Sequence, residues 1–190
     1  YPRRSLCIQH GESDMDFLQR LFAEEGMFFW FEHQAGEGEA LGEHTMVIAD
    51  HNGSFRPNAQ PRVRFTQSAA ASFKEDSLTR FDEQRRVTST AVAVASFDYR
   101  GVQQMSAPPQ GNAQGITELS LTLRDQPGAY AYEDPAQAAR IAQRQLEAIQ
   151  APACQYLALG PLRQAACGTT LQLSDHPSVD ADTSWATLAV

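Results

Sequence analysis

The sequence predicts an α+β protein that consists mostly of antiparallel β-strands with two helices packed on them. Short runs rich in aromatic and β-branched residues recur along the chain and are separated by turn residues. Two further segments place apolar residues at helical spacing behind a residue that can cap a helix. Of the 190 residues, 42% are hydrophobic and 20% are charged, which is typical of a folded domain rather than of a disordered chain.

The first helix is predicted to follow Ser13 and to end at Gly26. The hydroxyl of Ser13 can cap the first turn, and Asp14 and Asp16 favour the positive end of the helix dipole. A glycine after the last turn can adopt the left-handed conformation that ends helices. Residues 1–10, before this helix, are predicted to form a short strand. The apolar residues of the helix share one broad face and are Met15, Phe17, Leu18, Leu21 and Phe22.

A β-hairpin is predicted directly after the first helix. Residues 27–32 are too few for a helix and are apolar on both alternating faces, so we predict a strand that is buried on both sides. The glycine-rich residues 34–42 form the predicted loop, and residues 45–49 form the returning strand. Further strands are predicted within residues 77–99.

A mobile loop or linker, rich in glycine and proline, is predicted at residues 101–115. It separates a β-rich segment with the first helix, residues 1–100, from a β-rich segment with one helix, residues 116–190. In the latter, Asp134 is placed to cap the second helix and Pro135 to occupy its first position. Strands of this segment are predicted at 116–124, 156–159, 169–173 and 185–190. The predicted buried stripe of the second helix consists of Ala138, Ile141, Ala142, Leu146 and Ile149.

The charge and hydropathy of the chain exclude several classes of partner. The formal net charge is −8, from 23 acidic and 15 basic residues, so the chain repels nucleic acid and anionic membranes. No apolar run approaches the roughly 20 residues that span a bilayer, and no signal peptide is apparent. We therefore predict no nucleic-acid partner and no membrane anchoring. Because the chain opens with Tyr1 rather than methionine, we expect it to be part of a longer protein.

A metal site is the first catalytic hypothesis that the histidines raise. His33, His44 and His51 lie around the predicted hairpin, and a zinc site needs three or four ligands that converge at about 2.0–2.2 Å. His33 and His44 can oppose each other across the hairpin, but no HxH or HExxH spacing arranges the ligands in advance. These histidines can also be ordinary polar residues at strand ends. A metal-dependent hydrolase that uses this region is the alternative function from another class.

Other catalytic patterns have simpler structural interpretations. The adjacent residues Ser174, Asp175 and His176 cannot point at one another as a catalytic triad requires. The aromatic residues 28–31 could bind a sugar or a peptide, but they are also expected in a core. Neighbouring carboxylates are explained by the helix dipole or by solvation, and they are Asp14 with Asp16, Glu24 with Glu25, and Glu37 with Glu39. We predict no catalytic residue, no cofactor and no metal.

The residues from 12 to 33 carry a resemblance to a known family. They read ESDMDFLQRL at 12–21, EEG at 24–26 and FEH at 31–33. A pattern of the form ESDxDFLxRLxEEEGxxxxFEH recurs in the VgrG family of type VI secretion spike proteins, which this chain resembles. Residues 127–130 and the helix after them also resemble that family. We call residues 12–33 the signature segment, and its matching residues are Glu12, Ser13, Asp14, Asp16, Phe17, Leu18, Arg20, Leu21, Glu24, Glu25, Gly26, Phe31, Glu32 and His33.

The resemblance implies a fragment of a structural hub that is similar to the baseplate hub of contractile phage tails. In the VgrG family the hub is a homotrimer of barrel-like modules, and it acts as an adaptor between the Hcp tube and the puncturing spike during effector delivery. The implied partners are further copies of the chain, the Hcp tube, a downstream spike domain and secreted effectors. Assembly in the bacterial cytoplasm is implied, followed by secretion or injection into a target cell.

The signature segment is then expected to be a folding element, in which Phe17, Leu18 and Leu21 pack on the sheet. No enzymatic activity is implied for this fragment. The hub of a contractile phage tail or of a prophage is the alternative within the same kind of machine.

Overall fold

The computed structural model describes residues 6–36, 38, 41–68, 76–106, 110–111 and 120–190. In this part of the chain two helices, α1 (Asp14–Glu25) and α2 (Pro135–Gln150), accompany sheets of two to four strands. The sheets are mostly antiparallel, which confirms the predicted α+β class. The described strands close no barrel, so the barrel-like modules stay a prediction. The strands are β1 (Phe28–Gln34), β2 (Glu43–Ala49), β3 (Arg56–Phe65), β4 (Ser77–Leu78), β5 (Arg80–Arg85), β6 (Ala91–Asp98), β7 (Gln103–Ser106), β8 (Gln110–Gly111), β9 (Thr122–Asp125), β10 (Cys154–Leu159), β11 (Thr169–Ser174) and β12 (Ser184–Ala186).

The chain divides into two compact units, each made of two separate stretches. The first unit contains Tyr1–Gly26 and Arg85–Gln155, and the second contains Met27–Gln84 and Tyr156–Val190. The predicted linker at 101–115 includes residues outside the described part of the chain, so a division into 1–100 and 116–190 stays a prediction.

In the first unit, α2 packs on a sheet whose central strand is β6. This strand is antiparallel to β7 and β8 and parallel to β9. Ala138 and Ala142 are both 0% exposed, because their small side chains allow the helix to lie close to the sheet. The buried residues of this core are Val92, Val94, Tyr132, Ala138, Ala142 and Leu146.

The predicted start of α2 is confirmed. A carboxylate oxygen of Asp134 accepts the N–H of Gln137 at 2.7 Å, and Pro135 lies in the first turn. The side-chain oxygen of Gln137 accepts the N–H of Glu133, the residue before the cap, at 2.6 Å. The apolar stripe predicted for this helix faces the core through Ala138, Ala142 and Leu146.

The predicted boundaries of α1 are also confirmed, with Ser13 as its cap and Gly26 after it in the left-handed conformation. None of its residues is buried, and Leu18 is 38% exposed. Within the first unit α1 contacts α2. Phe17 and Leu21 are half-buried, and their packing on the sheet stays a prediction.

In the second unit, the core residues lie on a four-stranded sheet in the order β12-β11-β3-β4. β11 and β4 run parallel to β3, whereas β12 is antiparallel to β11. β5 and β10 form a separate two-stranded sheet. The buried core residues are Val63, Leu78, Leu171 and Leu173, and Phe65, Phe81, Leu162, Val179 and Trp185 pack against them.

β1 and β2 form the predicted hairpin, but only one of its faces is buried. Trp30 is 7% exposed, and its ring centroid lies 5.6 Å from that of Phe55. On the opposite face Phe31 is 38% exposed and Ile48 is 50% exposed. The prediction that the strand is buried on both sides is wrong, because apolar residues on both faces do not ensure a neighbour for each face.

Three strand predictions require correction. Residues 6–10 form no strand, and of the described residues 120–124 in the predicted strand at 116–124, only 122–124 are in β9. Of the predicted strand at 185–190, only residues 185–186 are in β12. Neither helix of the described part is long and apolar enough to cross a membrane. Further predictions fall on residues outside the described part, namely 1–5, 37, 39–40, 107–109, 112–115 and 116–119.

Candidate functional site

Arg20 connects α1 to the chain that precedes it. Its guanidinium donates to the two carboxylate oxygens of Glu12, at 3.2 Å and 2.6 Å, and to the carbonyl oxygen of Ile8 at 3.2 Å. Arginine allows this paired geometry, whereas lysine does not. The guanidinium also lies 5.3 Å from the centre of the Phe17 ring. Two signature residues thus orient the chain as it enters α1.

The ion pair favours the charged form of both partners. The hydrogen bond from Arg20 lowers the pKa of the Glu12 carboxyl, and the hydrogen bond to Glu12 raises the pKa of Arg20. Desolvation opposes both shifts. Because the pair lies at the surface, solvent and salt screen it. Its chemistry is therefore that of an orienting contact and not of a proton-transfer group.

The first turn of α1 is closed by a reciprocal cap. The N–H of Asp16 donates to the hydroxyl oxygen of Ser13 at 3.2 Å, and the hydroxyl donates to a carboxylate oxygen of Asp16 at 2.7 Å. The side-chain amide of Gln9 donates to Asp14 at 2.8 Å. The carboxylates of Asp14 and Asp16 therefore serve the helix end, as their positions in the sequence predict.

The far end of α1 is attached to α2. A carboxylate oxygen of Glu25 accepts from the guanidinium of Arg140 at 2.8 Å, and the Glu25 side chain is only 13% exposed. At Gly26, which has a φ of 73°, an added Cβ would lie 2.6 Å from Cδ of Arg144. The glycine therefore both ends the helix and makes room for an α2 side chain.

The strand part of the signature segment depends on a glycine far along the chain. The indole N–H of Trp30 donates to Glu32 at 3.2 Å. A Cβ at Gly168 would come within 2.3 Å of the Trp30 indole, so only glycine fits against this ring. Sequence reasoning missed the role of Gly168, and the only signal was its place directly before the predicted strand at 169–173.

The structure brings together two of the three candidate histidines. His33 and His44 are direct partners in the hairpin, with ring centroids 4.7 Å apart. His51 has another role, because its Nδ1 accepts the N–H of Gly53 at 2.9 Å in a 3-10 turn. No group of three or more His, Cys, Asp or Glu residues in the described chain could hold a metal ion. The three-histidine site of the hydrolase hypothesis is therefore not favoured.

The run at 174–176 forms no catalytic triad. Asp175 pairs with Arg64 at 2.9 Å, and Nδ1 of His176 accepts the N–H of Ser178 at 3.2 Å. Each side chain thus has a separate structural partner. This agrees with the expectation that adjacent residues cannot point at one another.

A shallow cleft of about 380 Å³ opens beside β6 in the first unit. The hydroxyl of Ser96 at this cleft donates to the carbonyl of Gly128 at 2.6 Å and accepts the N–H of Ala131 at 3.0 Å. That hydroxyl holds the loop after β9 and is not placed next to a general base. The lining residues are neutral and comprise Ala95, Ser96, Phe97, Gln126, Gly128 and Ala129.

Several known bacterial proteins are similar to this chain. Two are type VI secretion system spike proteins of Pseudomonas aeruginosa: VgrG1a is 24% identical over 95% of this chain, and VgrG4b is 27% identical over 97% of it. These alignments cover 27% and 22% of the relatives, so the chain spans about a quarter of their length. The actin cross-linking toxin VgrG1 of Vibrio cholerae is 41% identical over 59 residues, which are 31% of this chain and 5% of that protein.

The whole sequence also matches one protein family. Residues 1–190 match the phage tail baseplate hub family (GPD). The match includes the capped helix, the Arg20 contacts and the aromatic strand of the signature segment. The chain therefore belongs to the phage tail baseplate hub family, and it is similar over nearly its whole length to type VI secretion spike proteins.

Proposed function

We propose that this chain is the hub segment of a type VI secretion spike protein. In this role it forms part of a trimeric adaptor between the Hcp tube and the puncturing spike during effector delivery. The observation that carries the proposal is the family match over residues 1–190. The names of the Pseudomonas relatives favour the secretion machine over other machines with such a hub.

The geometry of the signature segment supports a structural role. A hub that transmits force must keep its helices in place. The Arg20–Glu12 pair restrains the start of α1, and the Glu25–Arg140 pair attaches its end to α2. Both contacts position backbone elements. A non-enzymatic function of this segment is therefore part of the proposal.

The toxin relative does not change this proposal. Its name describes actin cross-linking by that protein, whereas the similarity covers only 5% of its length. An effector activity of that kind would belong to other parts of a longer chain. We further propose that the protein assembles in the bacterial cytoplasm and is then secreted or injected into a target cell.

The proposed trimer can be tested on the full-length protein by size-exclusion chromatography with light scattering. We expect a molar mass three times that of one chain, and the mass should not change on dilution within the micromolar range. A monomer at every concentration would contradict the hub proposal.

The hub of a phage tail is the second candidate, because the family description names a phage tail baseplate hub. Binding to immobilised tubes distinguishes the two candidates. We expect retention of the full-length protein on tubes of Hcp from the same bacterium, with bovine serum albumin as a protein that should pass through. Retention only on the tail-tube protein of a resident prophage would assign the chain to a phage tail instead.

A further inference from the structure

Two histidines face each other across the hairpin of β1 and β2. His33 and His44 are direct partners in the antiparallel register, and their ring planes are inclined at 34° with centroids 4.7 Å apart. Both side chains are exposed. The Cβ atoms of such partners lie about 4.5–5.5 Å apart in antiparallel sheets, so the backbone itself keeps the two rings close.

We propose that His33 and His44 form a two-imidazole site for a divalent transition-metal ion. A ligating imidazole nitrogen lies about 2.0–2.1 Å from such a metal, which places the ring centre roughly 3.2 Å from it. When the nitrogen–metal–nitrogen angle lies between 90° and the tetrahedral value, the two ring centroids are about 4.5–5.2 Å apart. The observed separation of 4.7 Å lies within this range.

The surroundings of the pair determine what kind of ion it selects. The ring of Phe31 meets His44 edge-on at 4.5 Å, so one side of the site is apolar. No third protein ligand completes the site among the described residues, and water would fill the remaining positions. Imidazole ligands bind Cu²⁺ more tightly than they bind Ni²⁺ or Zn²⁺. Mg²⁺ and Ca²⁺ prefer oxygen ligands and should not bind.

A bound ion would link the two strands of the hairpin. β1 and β2 have no third strand beside them in the described part of the chain, and the glycine-containing loop that joins them follows directly after β1. A cross-link between His33 and His44 near that loop would hold the strand ends in register. This site differs from the three-histidine centre of a hydrolase, because it needs neither His51 nor a catalytic base.

The site can be tested by titrating Cu²⁺ and Zn²⁺ into the whole chain, purified without a histidine tag. We expect one Cu²⁺ per chain in isothermal titration calorimetry and hyperfine splitting from two nitrogens in the electron paramagnetic resonance spectrum. Each single variant, His33→Gln and His44→Gln, should bind Cu²⁺ at least tenfold more weakly and show one nitrogen, because one ligand remains. Thermal unfolding should shift upward with Zn²⁺ and not with Mg²⁺.

His10→Gln is the matched control, because His10 is an exposed histidine outside the hairpin. It should leave the stoichiometry, the affinity and the two-nitrogen spectrum unchanged. Equal weakening by His10→Gln, or unchanged Cu²⁺ binding in the double variant of His33 and His44, would overturn the proposal. Circular dichroism of each metal-free variant checks that the fold is retained. None of these outcomes depends on whether the chain acts as a hub.

Discussion

The two helices of the first unit are held in place by different kinds of contact. α2 buries Ala138, Ala142 and Leu146 in the core, whereas no residue of α1 is buried. α1 is instead positioned at both ends by charged side chains, through the Arg20–Glu12 and Glu25–Arg140 pairs. A helix with a clear sequence pattern can therefore be held in place either by apolar burial or by polar contacts at its ends.

A substitution in the buried stripe of α2 tests the apolar burial that holds this helix in place. Leu146→Ala should lower the free energy of unfolding by about 3 kcal/mol, because it leaves a cavity in a fully packed site. The corresponding change in α1, Phe17→Ala, should cost only about 1 kcal/mol, because the Phe17 ring is half-buried. Urea unfolding followed by circular dichroism at 222 nm measures both losses.

Tryptophan fluorescence provides an internal control for these variants. Trp30 and Trp185, the two tryptophans of the chain, both lie in the second unit, whereas both helices lie in the first. The helical signal therefore reports on the first unit and the fluorescence on the second. Equal losses for Leu146→Ala and Phe17→Ala would show that the two helices are held in the same way.

The next effect concerns the junction between the helices. Gly26→Ala should cost about 1–2 kcal/mol for its left-handed backbone conformation. It should also displace Arg144, whose Cδ would lie 2.6 Å from the new Cβ. Gly11→Ala is the matched control, because Gly11 has a φ of 65° but no atom within 4 Å of the added Cβ. Urea unfolding measures how much more free energy of unfolding Gly26→Ala loses than Gly11→Ala, and this difference is the cost of crowding Arg144. Equal losses for the two variants would show that Arg144 moves at no cost.

Helix caps and the hairpin could be predicted from the sequence. Which apolar faces are buried by other elements could not. Ser13, Gly26 and Asp134 were placed correctly, because a cap depends on a few adjacent residues. The facing pair of His33 and His44 also follows from the hairpin alone.

Errors arise where distant parts of the chain decide burial. The apolar faces of α1 and β1 were identified, yet the sequence carries no information on which of them a neighbour covers. The contact between Trp30 and Gly168 joins residues from two separate stretches of the second unit. Contacts of this kind require the tertiary fold, so sequence periodicity cannot reveal them.

A substitution of Glu12 tests the polar contact at the start of α1, and its effect on stability depends on pH. The pKa of Glu12 is lowered in the folded chain from an ordinary value of 4.5. Its carboxylate therefore stabilises the fold above that value, and this stabilisation is lost as the pH falls through the lower folded pKa. The wild-type chain should be more stable than Glu12→Gln at pH 7, and the difference should disappear as Glu12 becomes protonated. High salt at pH 7 should also reduce it.

The double variant Glu12→Gln/Arg20→Gln separates the ion pair from other effects of the substitutions. If the pair is the source of the pH dependence, the double variant should lose less stability than the sum of the two single variants. Urea unfolding over a series of decreasing pH values from pH 7 gives both differences. Additive losses, or a Glu12→Gln effect that does not decline as the pH falls, would show that the charged contact does not position α1. The start of that helix would then depend on its Ser13 cap and on the hydrogen bond from Gln9 to Asp14.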